Sequence, residues 1–358
     1  MNRDSSRKEI IRKLKSLPFM GEANLSSKIN ELLFKNEKDL RVYFTSGTTK
    51  RPKAIYSSSG DIERTEDYIK WFCEVEGIAG GETVAVMMDH SLWAVGPLTC
   101  LAHIKAGNLV IPIDLRNKNA IKEILDSVNP TVISTLPSKL EEFHKIIPKK
   151  KLKAIETTGE PMSQKQRERL KKIFNNVNIF DAYGMTEGVI GVECKYHNGY
   201  HYDENKAYLE IKSFRSNKIL EENIYGEIIL TNLLSMAQPI IRYQTGDVGK
   251  IKRERCLCGL NTPRIFLKGR MAKTHYILDG VRIKKESVKD ILKNVLKTLP
   301  KYKIKIQSNK GLMTIEINLS EISETKRRLL IKKISEINFD ILNLTKTGQL
   351  KVSIMVKA

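Results

Sequence analysis

The sequence predicts an α/β protein: a large N-terminal domain with mostly parallel sheets and a β subdomain, plus a small mobile α+β C-terminal domain. Three observations predict it. Between residues 82 and 180, short apolar runs alternate with helical patterns, which is typical of parallel strands joined by helices. From about residue 190, short β-prone runs and turns replace that alternation. After residue 271, strands and helices alternate again in a separate α+β unit.

The elements follow from the spacing of apolar residues, which recur every three to four positions in helices and cluster in short β-prone runs in strands. Helices are predicted over residues 4–38, 62–76, 92–106, 119–128, 138–147, 163–174, 285–298 and 321–338. Strands are predicted over residues 82–88, 108–113, 131–134, 152–156, 177–180, 302–307, 312–318 and 350–356.

The charge is strongly basic and unevenly distributed. The 358 residues contain 62 Lys and Arg against 41 Asp and Glu, a net charge of +21. Residues 271–358 alone contain 19 basic and 8 acidic residues, so we expect two domains, 1–269 and 270–358. A basic protein suits polyanionic partners such as nucleotides, coenzyme A, an acidic carrier protein, nucleic acid or anionic lipid. The alternative is a lysine-rich surface without a partner.

The N-terminal residues are charged throughout, which is not the pattern of a secretory signal. No apolar stretch has the length of a membrane span, so we expect a cytoplasmic protein without a membrane partner. Five cysteines in such a chain argue against a disulfide framework.

A hydroxyl-rich turn lies between two β-prone runs near the N-terminus. It comprises Thr45, Ser46, Gly47, Thr48 and Thr49, and the cation Lys53 follows. Glycine lets the backbone approach a phosphate, hydroxyl and N–H groups donate to it, and lysine neutralises its charge. The alternative is a plain Ser/Thr turn, since the Walker spacing of two glycines is absent.

Four further segments follow in order: Thr157–Pro161 (TTGEP), Asp181–Glu187 (DAYGMTE), Arg242–Asp247 (RYQTGD) and Phe266–Arg270 (FLKGR). With the hydroxyl-rich turn, their order and spacing resemble the adenylate-forming (AMP-binding) superfamily. The similarity is greater to its phenylacetate–CoA ligase-like branch, in which this chain is short at the N-terminal side. The runs Glu193–Cys194, Gly199–His201, Pro239–Tyr243 and Cys256–Gly259 carry the branch resemblance.

The resemblance implies roles for individual residues. The residues expected to bind ATP are Thr45, Ser46, Gly47, Thr48, Thr49, Lys53, Gly159, Glu160, Pro161, Asp181, Tyr183, Gly184, Thr186, Asp247 and Arg270. Among them, Tyr183 is expected to stack on adenine, Thr186 to contact the α-phosphate and Asp247 to bind the ribose. Glu187 is expected to bind Mg²⁺, which prefers oxygen ligands. Asp181 and Thr245 have an alternative interpretation as turn caps.

The implied reaction has two steps. A carboxylate attacks ATP to give acyl-AMP and pyrophosphate, and a thiol then displaces AMP. The thiol is either coenzyme A or the phosphopantetheine of an acidic acyl or peptidyl carrier protein. The expected catalytic residues are Lys53, Thr186, Glu187, Gln349 and Lys351. The apolar segment 90–96 favours an aromatic or apolar carboxylic acid.

The sequence departs from the family pattern at several places. Gln349 stands where the family usually has a lysine, and glutamine cannot neutralise a developing anion. Lys50 and Ala272 also replace more usual residues. These departures keep open a degenerate nucleotide-binding or scaffold protein without full adenylation activity. No nucleic-acid reader signature is present, so we expect no specific nucleic-acid partner.

Four residues have the composition of a structural zinc site. Cys256 and Cys258 flank a leucine in a glycine-containing turn, and Cys194 and His201 precede them on a predicted β segment. Thiolates and imidazole are the ligands that Zn²⁺ prefers. Two alternatives remain open at this point: His197 as the histidine ligand, and a reduced loop with free thiols.

Overall fold

The chain divides into two compact units. The computed structural model describes residues 3–21, 39–44, 53–90, 93–115, 118–214, 216–270, 275–278, 281–307, 312–337, 339–348 and 350–357. The first unit comprises Met1–Lys212, Ile219–Thr245 and Gly249–Leu267, and the second comprises Ser213–Lys218, Gly246–Val248 and Lys268–Ala358. The sequence-based boundary at 269/270 stays a prediction. The predicted phosphate-binding residues 45–49 and Gln349 lie outside the described residues, as do Lys50 and Ala272.

One half of the first unit is a parallel sheet with helical connections. Its strands are β3 (Thr83–Met87), β4 (Leu109–Ile113), β5 (Val132–Thr135), β6 (Ala154–Thr158) and β7 (Asn178–Met185), in the spatial order β4-β3-β5-β6-β7. The helices between them are α3 (Val95–Lys105), α4 (Lys118–Val128), α5 (Pro137–Phe143) and α6 (Gln164–Ile173), and α2 (Ser59–Glu76) precedes β3. The inner strands are buried on both faces, as their continuous apolar runs require.

The other half of the first unit continues the same sheet in antiparallel fashion. The added strands are β8 (Gly188–Glu193), β9 (Tyr200–His201), β10 (Ala207–Lys212), β11 (Gly226–Asn232), β12 (Ile240–Lys252) and β13 (Arg264–Arg270). The 11-stranded order is β10-β11-β12-β13-β9-β8-β7-β6-β5-β3-β4. The predicted α/β class is confirmed, and the β subdomain is one sheet with the parallel half.

The sheet topology assembles polar residues at one edge. Parallel strands β5, β6 and β7 end at the same side, where open α/β sheets bind their ligands. Strand β7 continues into the tight β7–β8 turn, with an irregularity between Tyr183 and Gly184. A hairpin of β1 (Arg41–Phe44) and β2 (Ala54–Ser57) flanks the predicted phosphate loop.

The predicted helix over residues 4–38 is too long. Helix α1 covers Arg3–Ser16, and residues 17–21 are not helical. Pro18 explains the end, because proline disfavours helical conformation in the preceding residue. Met20 instead forms a parallel bridge with Tyr243 of β12. Residues 22–38 lie outside the described residues.

The second unit is the small α+β fold that the tail predicts. It contains the hairpin β14 (His275–Leu278) and β15 (Val281–Lys284), and the sheet β16 (Tyr302–Gln307), β17 (Leu312–Asn318) and β18 (Lys351–Lys357). Helix α7 covers Lys285–Leu296. Leu292, Ile315 and Leu330 are fully buried in the hydrophobic core of this unit. The predicted helix 321–338 is wrong in extent: α8 covers Glu324–Ser335, and a separate α9 covers Phe339–Lys346.

Of the helices that the structure describes, none combines the length and apolar character that a membrane crossing requires.

Asp61, at the start of α2, connects this helix to the loop that precedes β12. Its carboxylate accepts backbone N–H groups of Ser58 (3.1 Å), Met236 (2.8 Å) and Ala237 (3.0 Å), and it pairs with Arg64. We therefore expect Asp61→Ala to lower the free energy of unfolding by about 3 kcal/mol, because buried donors lose their acceptor.

Denaturant unfolding followed by circular dichroism measures this loss. Glu63→Ala, at an exposed position of the same helix, is the control and is expected to change stability by less than about 0.5 kcal/mol. Equal stabilities of the two variants would contradict the assigned role of Asp61.

Candidate active site

Lys53, Glu187 and Tyr243 form a nearly buried polar triad in the first unit. Lys53 directly precedes β2, Glu187 lies in the β7–β8 turn, and Tyr243 lies in β12. Lys53 Nζ is 2.7 Å from Glu187 Oε1 and 3.0 Å from the Tyr243 hydroxyl. That hydroxyl donates to the same Glu187 oxygen at 2.9 Å. The two predicted catalytic residues Lys53 and Glu187 thus meet, although 134 positions separate them.

The electrostatics of this triad fix its protonation at neutral pH. Burial alone lowers the pKa of Lys53, but the Glu187 charge and the hydrogen bonds to Glu187 and Tyr243 raise it above its ordinary value. Burial and the Glu187 charge raise the pKa of Tyr243 to about 12. At neutral pH Lys53 is therefore an ammonium and Tyr243 a neutral phenol. Tyr243 was not assigned a role from the sequence, although it lies within the RYQTGD segment.

Asp181 is held within strand β7 by two hydroxyl groups. Tyr200 donates to Asp181 Oδ2 at 2.6 Å, and Thr157 Oγ1 lies 2.8 Å from Asp181 Oδ1. Burial raises the pKa of Asp181 to about 7, and the nearby Glu193 charge adds to this effect. The turn-cap interpretation of Asp181 is wrong, because the residue is paired in the sheet with β6. Thr245 is likewise a strand residue, whose hydroxyl donates to the Ile228 carbonyl across to β11.

Tyr183 follows Asp181 in β7, and the predicted ATP-binding residues 159–161 follow the neighbouring strand β6. Tyr183 is 8% exposed, and its ring centroid lies 5.9 Å from that of Tyr200. After β6, Gly159 adopts a left-handed φ of 77°, which glycine tolerates. The Glu160 carboxylate accepts the N–H and hydroxyl of Ser138 at the start of α5. The adenine roles of Gly159, Glu160, Pro161 and Tyr183 stay predictions.

The remaining predicted residues occupy different places. Thr186 is half-buried in the β7–β8 turn, directly before Glu187. In the second unit, Arg270 Nε lies 3.0 Å from the buried carboxylate of Asp247. Lys351 is exposed at the first position of β18. Three kinds of role stay predictions: ribose binding by Asp247, ATP binding by Arg270, and the catalytic roles of Thr186 and Lys351.

Residues 91 and 92 of the predicted acyl segment 90–96 lie outside the described residues, and the others follow β3. His90 Nε2 lies 3.2 Å from the carbonyl of Val86 in β3. Gly96, the second residue of α3, lies so close to Asp89 that an added Cβ would clash with the Asp89 carbonyl oxygen. This close approach requires glycine and fixes how α3 leaves the sheet edge.

A group of three cysteines and one histidine lies near the ends of β8 and β9. It comprises Cys194, His201, Cys256 and Cys258. Their candidate ligand atoms all lie within 4.8 Å of one another. The sulfurs of Cys194 and Cys256 are 3.8 Å apart, and Cys258 Sγ is 3.5 Å from His201 Nε2. Such separations suit a tetrahedral zinc ion with bonds of about 2.0–2.3 Å.

His201 is in the form that binds metals. Burial, together with the Arg264 charge, lowers its pKa to about 4, so the imidazole is neutral at neutral pH. Thr262 Oγ1 lies 2.8 Å from Nδ1 and orients the ring, which leaves Nε2 toward Cys258. His197 is not part of this group, because its Nδ1 lies 3.2 Å from Arg167 and from Glu193. His201 is therefore the better placed of the two histidines.

A second buried group contains Cys73, His103 and Glu156. His103 Nε2 is 2.8 Å from Glu156, whereas Cys73 lies 3.6 Å from the opposite ring nitrogen, Nδ1. Since one metal ion cannot take up both sides of the imidazole ring, this geometry is that of a hydrogen-bond network. Cys73 is fully buried, and burial raises the pKa of its thiol.

The raised pKa of Asp181 makes stability depend on pH. An aspartate whose folded-state pKa lies above its ordinary value stabilises the fold at low pH and loses that contribution as pH rises through about 7. We expect the free energy of unfolding of the wild type, relative to Asp181→Asn, to fall between pH 4 and pH 7. Urea titrations across this range measure the difference. Asp126→Asn, on the exposed face of α4, is the control. If the free energies of unfolding of the wild type and of Asp181→Asn changed in parallel with pH, the assignment would be contradicted.

The chain is similar to known ligases over most of its length. Curated relatives include a phenylacetate–coenzyme A ligase of Pseudomonas putida, 22% identical over 90% of this chain and 77% of the relative. The phenylacetate–coenzyme A ligase of Thermus thermophilus is 26% identical over 87% of this chain and 72% of the relative. Among solved structures, an open conformation of 2-hydroxyisobutyryl-CoA ligase, in complex with 2-HIB-AMP and CoA, matches with a TM-score of 0.66. It is 17% identical, over 95% of this chain and 78% of that chain, and supports the fold.

The sequence profile of the AMP-binding enzymes matches residues 12–210, more than half of the chain. The matched region contains Asp181, within β7, and also Lys53 and Glu187, which pair beside the β7–β8 turn. The family predicted from the five motifs is thereby confirmed, and the chain belongs to the AMP-binding enzyme family.

Proposed function

We propose that the protein activates a carboxylic acid with ATP and transfers the acyl group to a thiol. The observation that carries the proposal is the buried contact between Lys53 and Glu187, in a chain of the AMP-binding family. This contact joins an acidic ligand to a cation that follows the predicted phosphate loop in the sequence. The phenylacetate–coenzyme A ligases support this reaction by name, and the 2-hydroxyisobutyryl-CoA ligase structure contains an acyl-AMP and CoA.

The first step joins the acid to AMP. A carboxylate oxygen forms a bond to the α-phosphorus, the bond to the bridging oxygen breaks, and pyrophosphate leaves. Lys53 neutralises phosphate charge, and the Thr186 hydroxyl contacts the α-phosphate; such positioning and charge neutralisation supply most of the catalysis in this kind of reaction. In the second step a thiol sulfur bonds to the acyl carbon, AMP leaves, and the thiol proton passes to solvent.

Glu187 suits Mg²⁺ in its donor chemistry. Its carboxylate is 4% exposed, and the contacts with Lys53 and Tyr243 are both made at Oε1. Glu187 would hold Mg²⁺, because this ion prefers hard oxygen ligands and takes only one or two of them from the protein. The ion would neutralise charge on the leaving pyrophosphate. Tyr243 keeps Oε1 occupied and holds the carboxylate in one orientation.

The thiol and the acid are assigned less specifically. We propose coenzyme A or the phosphopantetheine of an acidic carrier protein as acceptor, since both are anionic and residues 271–358 are basic. We propose an aromatic or apolar acid, since the segment 90–96 contains Leu92, Trp93 and Val95. Transfer assays with coenzyme A and with a carrier protein distinguish the two acceptors.

ATP–pyrophosphate exchange across a panel of aromatic and aliphatic carboxylic acids tests the proposal. We expect exchange with at least one acid of the panel and dependence on Mg²⁺. A folded protein that binds ATP but exchanges pyrophosphate with no acid would instead support a nucleotide-binding scaffold, the alternative that Gln349 and Ala272 keep open.

Asp247→Ala is expected to weaken ATP binding about 100-fold or more, because the predicted acceptor for the ribose hydroxyls is lost. Glu204→Ala, which removes an exposed pair with Arg253, is the matched acidic control and is expected to leave binding unchanged. Calorimetry measures ATP binding by both variants.

Gln349→Ala is expected to change adenylation little, since glutamine supplies no charge. The rate of ATP–pyrophosphate exchange measures this effect. A hundredfold slower exchange by Gln349→Ala would identify Gln349 as the functional replacement for lysine.

We also assign structural Zn²⁺ to Cys194, His201, Cys256 and Cys258. Purified protein is expected to contain about one zinc per chain by mass spectrometry, and Cys258→Ala to lose the metal and some thermal stability. Cys100→Ala, a half-buried cysteine outside this group, is the control. Full thermal stability without zinc, with all four thiol or imidazole groups chemically reactive, would overturn the assignment.

A further inference from the structure

Arg242, directly before Tyr243, is a buried arginine with partners on three segments of the first unit. Its Nε and Nη2 donate to the two oxygens of Glu210 on β10, at 2.9 and 3.0 Å. Its Nη1 donates to the carbonyls of Lys15 and Leu17, at 2.8 and 2.6 Å. Arginine can satisfy a carboxylate and two carbonyls together because its donors form a rigid planar fork.

The backbone at Arg242 is in an uncommon conformation. Its φ is 48°, in the left-handed region, which a residue with a side chain rarely adopts. Its N–H donates to the Thr231 hydroxyl at 3.0 Å. Arg242 and Tyr243 are both buried, although successive residues of a regular strand point to opposite faces. The surrounding contacts therefore hold a conformation that sets the direction of Tyr243.

The segment after α1 is attached at the same point. Phe19 packs on the Arg242 guanidinium, with the carbon of that group 4.2 Å from the ring centroid. Met20 donates its N–H to the Arg242 carbonyl and accepts the N–H of Gln244, both at 2.9 Å. The Met20 side chain packs in the cluster that contains Tyr243 and Met185, and Met185 is two positions before Glu187.

We propose that Arg242 is a positioning residue of the nucleotide site: it fastens residues 15–20 to strand β12 and so holds the Tyr243 hydroxyl against the Lys53–Glu187 pair. This inference rests on the proposed function for its effect on catalysis. Arg242 acts through Tyr243, whose hydroxyl bridges the ammonium and the carboxylate. The residues after α1 are, on this view, part of the active-site architecture.

A double-mutant cycle on Arg242→Lys and Tyr243→Phe tests the inference. Lysine keeps the charge beside Glu210 but cannot also serve the two carbonyls, so this variant is expected to fold. We expect each single variant to raise the dissociation constant of Mg-ATP about tenfold, and the double variant to be no weaker than the weaker single. Losses that multiply, or an unchanged affinity of Arg242→Lys, would show that Arg242 does not act through Tyr243.

Two further measurements separate this inference from the proposed function. Arg253→Lys is the matched control: Arg253 directly follows β12 and pairs bidentately with Glu204, and its variant is expected to bind Mg-ATP within twofold of the wild type. Hydrogen exchange of the Met20 and Gln244 amides requires no nucleotide and is expected to accelerate in Arg242→Lys but not in Arg253→Lys. Unchanged exchange would overturn the positioning role. A protein that passes both tests but forms no acyl-AMP would refute the reaction alone.

Discussion

The contact between Lys53 and Glu187 is the interaction on which the candidate site depends. Two charges removed from water cost free energy unless they are paired and hydrogen-bonded. Here the side chains are 12% and 5% exposed, and the Tyr243 hydroxyl accepts from one and donates to the other. The pair also fixes three distant segments relative to one another: the start of β2, the β7–β8 turn and β12. Lys53, which follows the predicted phosphate loop in the sequence, is thereby brought to the carboxylate assigned to Mg²⁺.

The change of strand direction in the large sheet makes this meeting possible. Strand β7 is parallel to β6 but antiparallel to β8, so its end turns sharply at the sheet edge. That turn presents Thr186 and Glu187. Asp181 lies within β7, where Thr157 of β6 and Tyr200 of β9 form hydrogen bonds with it. Antiparallel strands then return β12 to the same edge with Tyr243. A parallel sheet alone provides the edge, and the antiparallel half contributes Tyr243 and Tyr200 to the residues near it.

Much of the fold followed from local patterns, and the errors have physical causes. Strands β16 and β17 were predicted at their observed bounds because their apolar runs end at turn residues. Helix α1 was predicted too long, since spacing alone could not weigh Pro18 against the apolar residues that follow. The helix predicted over 321–338 was too long and α9 was not predicted, because apolar spacing alone does not locate helix ends. Tyr243 and Tyr200 were not assigned roles, because a tyrosine within a strand has the same local signal whether it packs in a core or bridges charged groups.

The sequence by itself determined the family, the α/β class and the motifs from which the site was predicted. Those features are local, since they depend on residue types at short spacing. The tertiary structure decided which residues touch: that Lys53 pairs with Glu187, that His201 and not His197 joins the three cysteines, and that Arg242 connects residues 15–20 to Tyr243. Such contacts join positions far apart in the chain. They depend on strand order, register and the competition of each polar group for partners, which no short segment of sequence contains.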